Sequence, residues 1–169
     1  REKANGIDTV EQDLLNYAYN WMFADPWYLG ASLVAERDPI RELDHRYTPG
    51  LLIGRDIFDD TNRFLTFSLG VGYTDEEIAG ISDSGAVGLW NLRYTQTFFE
   101  GMDFFHTQNF TRQLYGDDNT IFKTNTGVRF DIYDGLYASL SLRYDYETEP
   151  AAGASKDDST LAMGVGYSF

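Results

Sequence analysis

The residues of this chain best suited to acid–base catalysis near neutral pH are its two histidines, His45 and His106. A hydrolase would need one of them beside a serine nucleophile, with a third group to orient the imidazole ring. His106 is followed by Thr107 and Gln108, and the sequence contains no Gly-x-Ser-x-Gly segment. We therefore expect no enzymatic activity, and we interpret His106 as a hydrogen-bonding residue of the interior or of a strand end.

Three pairs of adjacent aspartates are the most plausible metal ligands in the sequence. They are Asp59-Asp60, Asp117-Asp118 and Asp157-Asp158. None of them has the ligand spacing of a calcium-binding loop, and the chain contains no cysteine. We interpret the pairs as solvated turn residues and expect no metal and no cofactor.

Charged residues also recur on the polar positions of segments in which apolar and polar residues alternate. Those positions carry Glu36, Arg93, Lys123, Arg129, Asp131, Arg143, Asp145 and Glu147. Charges that leave water must be paired with opposite charges. If these positions face the interior, the pattern predicts a network of ion pairs, which would either plug the interior or line a narrow polar pore.

Composition limits the kinds of fold that could position these residues. The 169 residues are 16% aromatic, yet the mean hydropathy is only -0.38. No apolar run approaches the roughly 20 residues of a transmembrane helix. The net charge of -14 argues against a nucleic-acid partner. We expect a single domain over residues 1–169 that is built from alternating strands.

Turn residues separate these alternating segments at regular intervals. Compact turns are predicted near Asp25-Pro26, Asp59–Asn62, Glu100-Gly101 and Asp134-Gly135. Longer connections are predicted over residues 38–45, 74–85, 115–119 and 148–158, so that short and long connections alternate. The pattern predicts an all-β, antiparallel up-and-down barrel with about nine strands in this chain.

Periodicity alone does not say which face of such a sheet is the interior. In a soluble lipocalin-like barrel the apolar face points inward, whereas in an outer-membrane barrel it faces lipid. The polar face here mixes glycine, serine and threonine with arginine and aspartate, which is more typical of a barrel lumen than of a soluble surface. The alternation of short and long connections also favours a transmembrane barrel in a bacterial outer membrane.

The final strand supports the same interpretation. Gly164, Tyr167 and Phe169 resemble the terminal signal that is read by the outer-membrane assembly machinery. A periplasmic aromatic girdle is predicted at Trp21, Phe23, Trp27, Phe58, Phe98 and Tyr133. Bacterial single-chain barrels have even strand numbers, so about nine strands lead us to expect at least one further strand before residue 1.

The order of short motifs along the chain resembles the YdiY-like family of salt-induced outer-membrane proteins. These motifs are WYLG at 27–30, ERD at 36–38, LDHRYTPG at 43–50, FFEG at 98–101, FFH at 104–106, NTGVR at 125–129, PAAG at 150–153, DDSTL at 157–161 and GVGYSF at 164–169. The resemblance implies a barrel of about twelve strands that is N-terminally incomplete here. The family is one of unknown function, so the resemblance supplies no catalytic residues.

Three hypotheses of function follow. The first is a non-enzymatic outer-membrane barrel, structural or narrow-pored, linked to envelope stress and in contact with outer-membrane lipid and lipopolysaccharide. The second is a barrel subunit that docks a partner protein in an envelope complex. The third is a soluble, lipocalin-like barrel that binds a ligand. Heat-modifiable migration in detergent gels would separate the first two hypotheses from the third.

Overall fold

The computed structural model describes residues 2–4, 7–10, 13–115, 119–150 and 155–167. Strands account for most of these residues, and a single 3-10 turn at Pro39–Arg41 joins two of them. The strands are β1 (Glu2–Ala4), β2 (Ile7–Val10), β3 (Asp13–Ala24), β4 (Trp27–Asp38), β5 (Leu43–Asp60), β6 (Arg63–Ile78), β7 (Ile81–Phe99), β8 (Met102–Gln113), β9 (Thr120–Tyr133), β10 (Leu136–Glu147) and β11 (Asp157–Tyr167). None of the helical segments among the described residues is long or apolar enough to cross a membrane.

Nine of these strands form one antiparallel sheet in the order β11-β10-β9-β8-β7-β6-β5-β4-β3. Each strand therefore pairs with its neighbours in sequence, which is the up-and-down topology predicted from the alternating segments. The predicted count of about nine strands is confirmed. Strands β1 and β2 pair with each other in a separate two-stranded sheet. Within the described residues, the edge strands β3 and β11 do not pair with one another, so the sheet stays open.

The two faces of the sheet differ in chemistry, and the apolar face is the exposed one. Large apolar side chains at every second position are exposed on one face, and the exposed fractions of Leu51, Val71 and Met163 are 69%, 61% and 83%. The opposite parity carries buried polar side chains, including Thr48 and Ser68. The described residues whose apolar side chains are buried are few: Tyr28, Leu43, Leu52 and Val87. Apolar burial in the interior is thus a small part of what holds this sheet together.

Contacts between distant strands show that the sheet is strongly curved. In a flat sheet, strands five positions apart would be separated by about 24 Å. Yet Arg46 on β5 contacts Glu147 on β10, and Lys123 on β9 contacts Glu36 on β4. The sheet therefore curls around its polar face, which becomes concave, while the apolar face becomes convex.

The connections define two ends of the curved sheet. At the turn end, where β3, β5, β7 and β9 finish, all four compact turns occur where the sequence predicted them. At the loop end, where β4, β6, β8 and β10 finish, the predicted long connections at 38–45 and 74–85 are wrong. Only residues 39–42 separate β4 from β5, and Ala79-Gly80 alone separates β6 from β7. Ladder pairs such as Asp75 with Ser84 extend both strands through the polar residues that suggested a loop.

Candidate functional site: charge clusters on the concave face

Five charged side chains meet on the concave face at the loop end, and we call them the loop-end cluster. They are Glu36, Arg46, Glu76, Lys123 and Glu147, contributed by strands β4, β5, β6, β9 and β10. Strand register brings three of them together, because Arg46 lies opposite Glu36 on one neighbouring strand and opposite Glu76 on the other. Side chains directly opposite one another on the same face of an antiparallel sheet are close enough to interact.

Arg46 is the centre of the loop-end cluster. Its Nε atom lies 2.5 Å from a carboxylate oxygen of Glu76, and its Nη2 atom lies 2.5 Å from a carboxylate oxygen of Glu147. The Glu36 carboxylate is 3.7 Å from Nη1 and accepts hydrogen bonds of 2.9 Å from the Lys123 ammonium group. A planar guanidinium group with five donors is suited to binding several carboxylates at once.

The centre of the loop-end cluster is also removed from water, although Lys123 and Glu147 are 25% and 17% exposed. Arg46, Glu36 and Glu76 are 4%, 8% and 6% exposed. The cavity that remains among the cluster and its surrounding side chains is about 30 Å³. Such a space holds a water molecule or two but no larger solute. The concave face is therefore filled with paired charges at the loop end.

Further polar residues support the loop-end cluster from neighbouring positions. The Asn119 side-chain amide donates a hydrogen bond of 3.2 Å to Glu147. Arg143 forms an ion pair of 2.6 Å with Asp145 on the same strand, and Asp145 lies opposite Lys123 in the ladder. The Arg143–Asp145 ion pair thus lies next to the loop-end cluster on β10.

A second, smaller group of charges lies at the turn end, and we call Asp103, Arg129 and Asp131 the turn-end cluster. Arg129 lies 3.2 Å from Asp103 and 3.4 Å from Asp131. These ion pairs link neighbouring positions on β8 and β9. The Arg129 side chain is 39% exposed and that of Asp131 is 52% exposed. Water therefore reaches the outer atoms of this cluster and partly screens the attraction between its charges, whereas the Arg129 Nε atom itself is buried.

Aromatic rings towards the turn end of the sheet cover glycines of neighbouring strands. Tyr28 is opposite Gly54, Phe105 is opposite Gly127 and Tyr137 is opposite Gly166. In each pair the ring occupies the space that a Cβ atom on the glycine would need. The Arg129 guanidinium carbon lies 5.0 Å from the centroid of the Tyr137 ring. The glycines therefore allow large rings to lie flat on the concave face.

The structure brings together most, but not all, of the eight charged residues singled out in the sequence. Seven of them lie in or beside the two clusters. Arg93 belongs to neither cluster. Its guanidinium carbon lies 5.9 Å from the centroid of the Phe64 ring. Arg46, Glu76 and Asp103 also belong to the clusters and were not predicted from the sequence. Arg46 lies two residues before Thr48, and Glu76 two residues after Thr74, so alternation places both on the polar face. This pattern did not lead to a prediction because both segments were interpreted as loops.

The two histidines lie outside both clusters. His106 is on the convex face, where its Nδ1 atom is 2.6 Å from the Thr126 hydroxyl group. His45 lies 3.5 Å from Asp75 and 4.0 Å from Glu77 at the loop end. Among the residues that the structure describes, no group of three or more histidine, aspartate and glutamate side chains is arranged to hold a metal ion.

The residues predicted to form an aromatic girdle all lie near the turn end. Their exposed fractions range from 41% to 78%, and they are Trp21, Phe23, Trp27, Phe58, Phe98 and Tyr133. Of the predicted assembly signal, Gly164 and Tyr167 lie on β11, and the Tyr167 side chain is exposed. Phe169 lies outside the described residues.

The fold and the clusters define a class of all-β protein: a nine-stranded meander with an apolar convex face and a charge-filled concave face. Along residues 1–169 the chain matches the model of the protein family of unknown function DUF481, and it belongs to that family. This membership is consistent with the resemblance to YdiY-like proteins. Comparison with curated proteins and with solved structures gives no match.

Proposed function

We propose that this chain forms the wall of a β-barrel in the outer membrane of a Gram-negative-type envelope, with a structural rather than a catalytic role. The observation that carries the proposal is that the polarity of the two faces is the reverse of that in a soluble barrel. Its exposed convex face bears the large apolar side chains, and its concave face bears the charges. A soluble protein rarely exposes so extensive an apolar surface, whereas lipid is the natural surrounding for one.

The strand lengths and the position of the aromatic residues fit the same proposal. A transmembrane strand needs about 9–11 residues, and the strands of the large sheet have between 11 and 19. The six exposed aromatic residues of the predicted girdle would lie at the level of the lipid headgroups. We infer that the turn end faces the periplasm and the loop end faces the outside, in contact with lipopolysaccharide.

The filled concave face favours a structural barrel over an open pore. Arg46, Glu36 and Glu76 are buried at the loop end, and the cavity beside them has a volume of about 30 Å³. Cross-lumen ion pairs would instead brace the wall of the barrel. The resemblance to salt-induced outer-membrane proteins supports a role in envelope stress, with insertion carried out by the outer-membrane assembly machinery.

The proposal is tested by placing the same charge at two exposed apolar positions. Leu51 lies midway along β5 and is 69% exposed, whereas Ile81 lies at the β6–β7 hairpin and is 73% exposed. Leu51→Arg would put a guanidinium group in the hydrocarbon layer and is expected to cost about 2–4 kcal/mol of unfolding free energy. Ile81→Arg, outside that layer, is expected to cost about 0–1 kcal/mol.

The measurement is unfolding of the full chain from phospholipid vesicles, together with heat-modifiable migration in detergent gels. In a soluble protein with the same curvature, both positions would face water, so both variants would behave alike. Equal, small effects of the two substitutions and migration that heating does not change would contradict the proposal. A partner that always co-purifies with the inserted protein would support the second hypothesis, a docking subunit.

A further inference from the structure

Four polar side chains lie side by side in the middle of the convex face, and we call them the polar patch. They are His106 and Gln108 on β8, which lie opposite Thr126 and Thr124 on β9. All four are partly exposed. The ladder continues from Thr126 to Leu142, which is 51% exposed on the convex face. The polar patch therefore belongs to the surface that the proposed function assigns to lipid.

Apolar and aromatic side chains surround the polar patch on the same face. Ladder pairing places them at neighbouring positions of β7, β8, β9 and β10, and they are Leu92, Phe104, Phe110, Phe122, Val128 and Leu142. Gln108 lies near the midpoint of β8, which runs from Met102 to Gln113. In a membrane-spanning wall this position is close to the middle of the hydrocarbon layer, a depth that lipid headgroups do not reach.

The polar patch is only partly satisfied within the chain. The His106 Nδ1 atom contacts the Thr126 hydroxyl group at 2.6 Å, and the Nε2 atom of the same ring takes no part in that contact. The Thr124 hydroxyl oxygen is buried and has no hydrogen-bond partner among the described residues. Hydrocarbon offers no hydrogen bonds, so polar side chains at this depth are costly unless protein supplies their partners.

We propose that the polar patch is the centre of a contact between two copies of this chain within the membrane, related by a twofold axis along the membrane normal. The inference rests on the proposed function, because it takes lipid as the surrounding of the convex face. The Gln108 carboxamide carries both donors and an acceptor, so it is complementary to the same group of a second copy. A twofold axis brings identical residues that lie near it together at one depth. Hydrogen bonds between polar side chains of neighbouring subunits then replace those that lipid cannot supply.

The test uses the full chain in phospholipid vesicles and a short bismaleimide cross-linker. The sequence contains no cysteine, so a single substitution supplies the only thiol. Val128→Cys puts that thiol at the border of the polar patch, and Leu51→Cys puts it on the same face of β5, where the native side chain is 69% exposed. A cross-linked dimer is expected from Val128→Cys and not from Leu51→Cys. Equal cross-linking of the two variants overturns the contact, as does an adduct with a different protein in place of the dimer when cell envelopes are used.

A second substitution shows whether the polar patch itself holds the two copies together. In the Val128→Cys chain, Gln108→Leu removes the carboxamide and suits lipid better, so it is expected to lower the yield of dimer several-fold without impairing insertion. Asn109→Leu changes the adjacent amide on the concave face and should leave the yield unchanged. An undiminished yield with Gln108→Leu would contradict the proposed contact.

Insertion is checked separately by heat-modifiable migration. A chain that does not insert refutes the proposed function and the contact with it. An inserted Val128→Cys chain that stays monomeric refutes the contact alone, since lipid then covers the polar patch.

Discussion

The two ends of the curved sheet hold their charges in different ways. At the loop end, Arg46 is 4% exposed and contacts carboxylates from three other strands, one of them five positions away in the sheet. At the turn end, Arg129 is 39% exposed and contacts two carboxylates on its own and the neighbouring strand. The loop-end cluster connects distant strands around a buried arginine. The turn-end cluster connects neighbouring strands around an arginine that is partly exposed to solvent.

This difference shows which contacts set the shape of the molecule. Ion pairs between neighbouring strands add to ladders that already exist, so they constrain curvature very little. The pairs across the concave face have no ladder beneath them, and they connect strands that the ladders leave apart. The turn end is shaped instead by rings that lie on glycines, as with Tyr137 over Gly166.

The largest effect is expected from removing the central cation at the loop end. Arg46→Met keeps most of the side-chain volume but leaves three carboxylates, two of them buried and the third 17% exposed, without their shared partner. Removing one member of a buried ion pair costs about 3–5 kcal/mol. Arg129→Met is the matched control at the turn end, and because that side chain is partly exposed we expect a loss below about 1 kcal/mol. Denaturant unfolding in detergent measures both.

A second substitution shows whether the Arg46 effect arises from stranded charge. Glu76→Gln and Glu147→Gln remove two of the carboxylates that Arg46→Met leaves without a partner. Combined with Arg46→Met, they are expected to recover part of the lost unfolding free energy. Equal losses for Arg46→Met and Arg129→Met would mean that burial does not distinguish the two clusters.

The next effect concerns the packing of rings on glycines at the turn end. Gly166 and Gly164 lie two residues apart on β11 and share the concave face. A Cβ atom at Gly166 would overlap the Tyr137 ring, whereas one at Gly164 would meet only the Ser139 hydroxyl at 3.1 Å. Overpacking costs about 1–3 kcal/mol, so Gly166→Ala should destabilise the protein by that amount. Gly164→Ala should be close to neutral in the same unfolding measurement.

Replacing the ring separates overlap from other effects of the alanine. In the background of Tyr137→Ala, Gly166→Ala should lose most of its cost, since the atoms it displaces are gone. If the two substitutions instead add without interaction, the ring and the glycine are not coupled as the structure indicates.

Two hairpins at opposite ends offer a smaller test. Ala79-Gly80 and Asp134-Gly135 both have positive φ at both residues, 53° and 76° in the first and 38° and 81° in the second. Asparagine and aspartate tolerate this conformation better than alanine, whose Cβ is crowded there. Ala79→Asn is expected to stabilise the protein by up to about 1 kcal/mol, and Asp134→Ala to destabilise it by a similar amount. Thermal or denaturant unfolding of both variants checks the opposite signs.

The strand order and the chemistry of each face could be predicted from the sequence because a strand repeats every two residues. Leu161, Met163 and Val165 were assigned to one face, and the structure places all three there. The β6–β7 hairpin was missed because Asp75, Glu76 and Glu77 fill consecutive positions and hide the alternation. Where polar residues occupy both faces of a strand, the alternation is lost and the segment is predicted as a loop. The backbone pairing nevertheless continues through these residues.

The meeting of Glu36 with Lys123 could not be predicted from the sequence. Periodicity places both residues on the polar face, but it does not say how far apart their strands lie in space. That distance depends on the curvature of the whole sheet, which arises from twist, stagger and side-chain packing together. The contact of Arg129 with Asp131 was easier to anticipate, because the two residues lie on the same strand and on the same face.

The smallest effect is expected at the turn between β5 and β6, where Asp60 and Arg63 form an exposed ion pair of 2.8 Å. The hydrogen bond from Arg63 lowers the pKa of the Asp60 carboxyl group. A lowered pKa means that the pair stabilises the fold above the pKa of the unfolded state and that this contribution is lost as the pH falls through the folded one. Salt screens the pair, because both side chains face water.

Asp60→Asn isolates the charge from the turn hydrogen bonds. The Oδ1 atom accepts hydrogen bonds from the backbone amides of Asn62 and Arg63, at 3.1 and 2.9 Å, and asparagine retains that acceptor. At moderate salt we expect no resolved change in the unfolding midpoint, and Asp60→Ala, which also removes the acceptor, should cost more. If Asp60→Asn lowered the unfolding free energy as much as Arg46→Met, burial would not determine how much an ion pair stabilises this protein. An exposed charge would then contribute as much as a buried one.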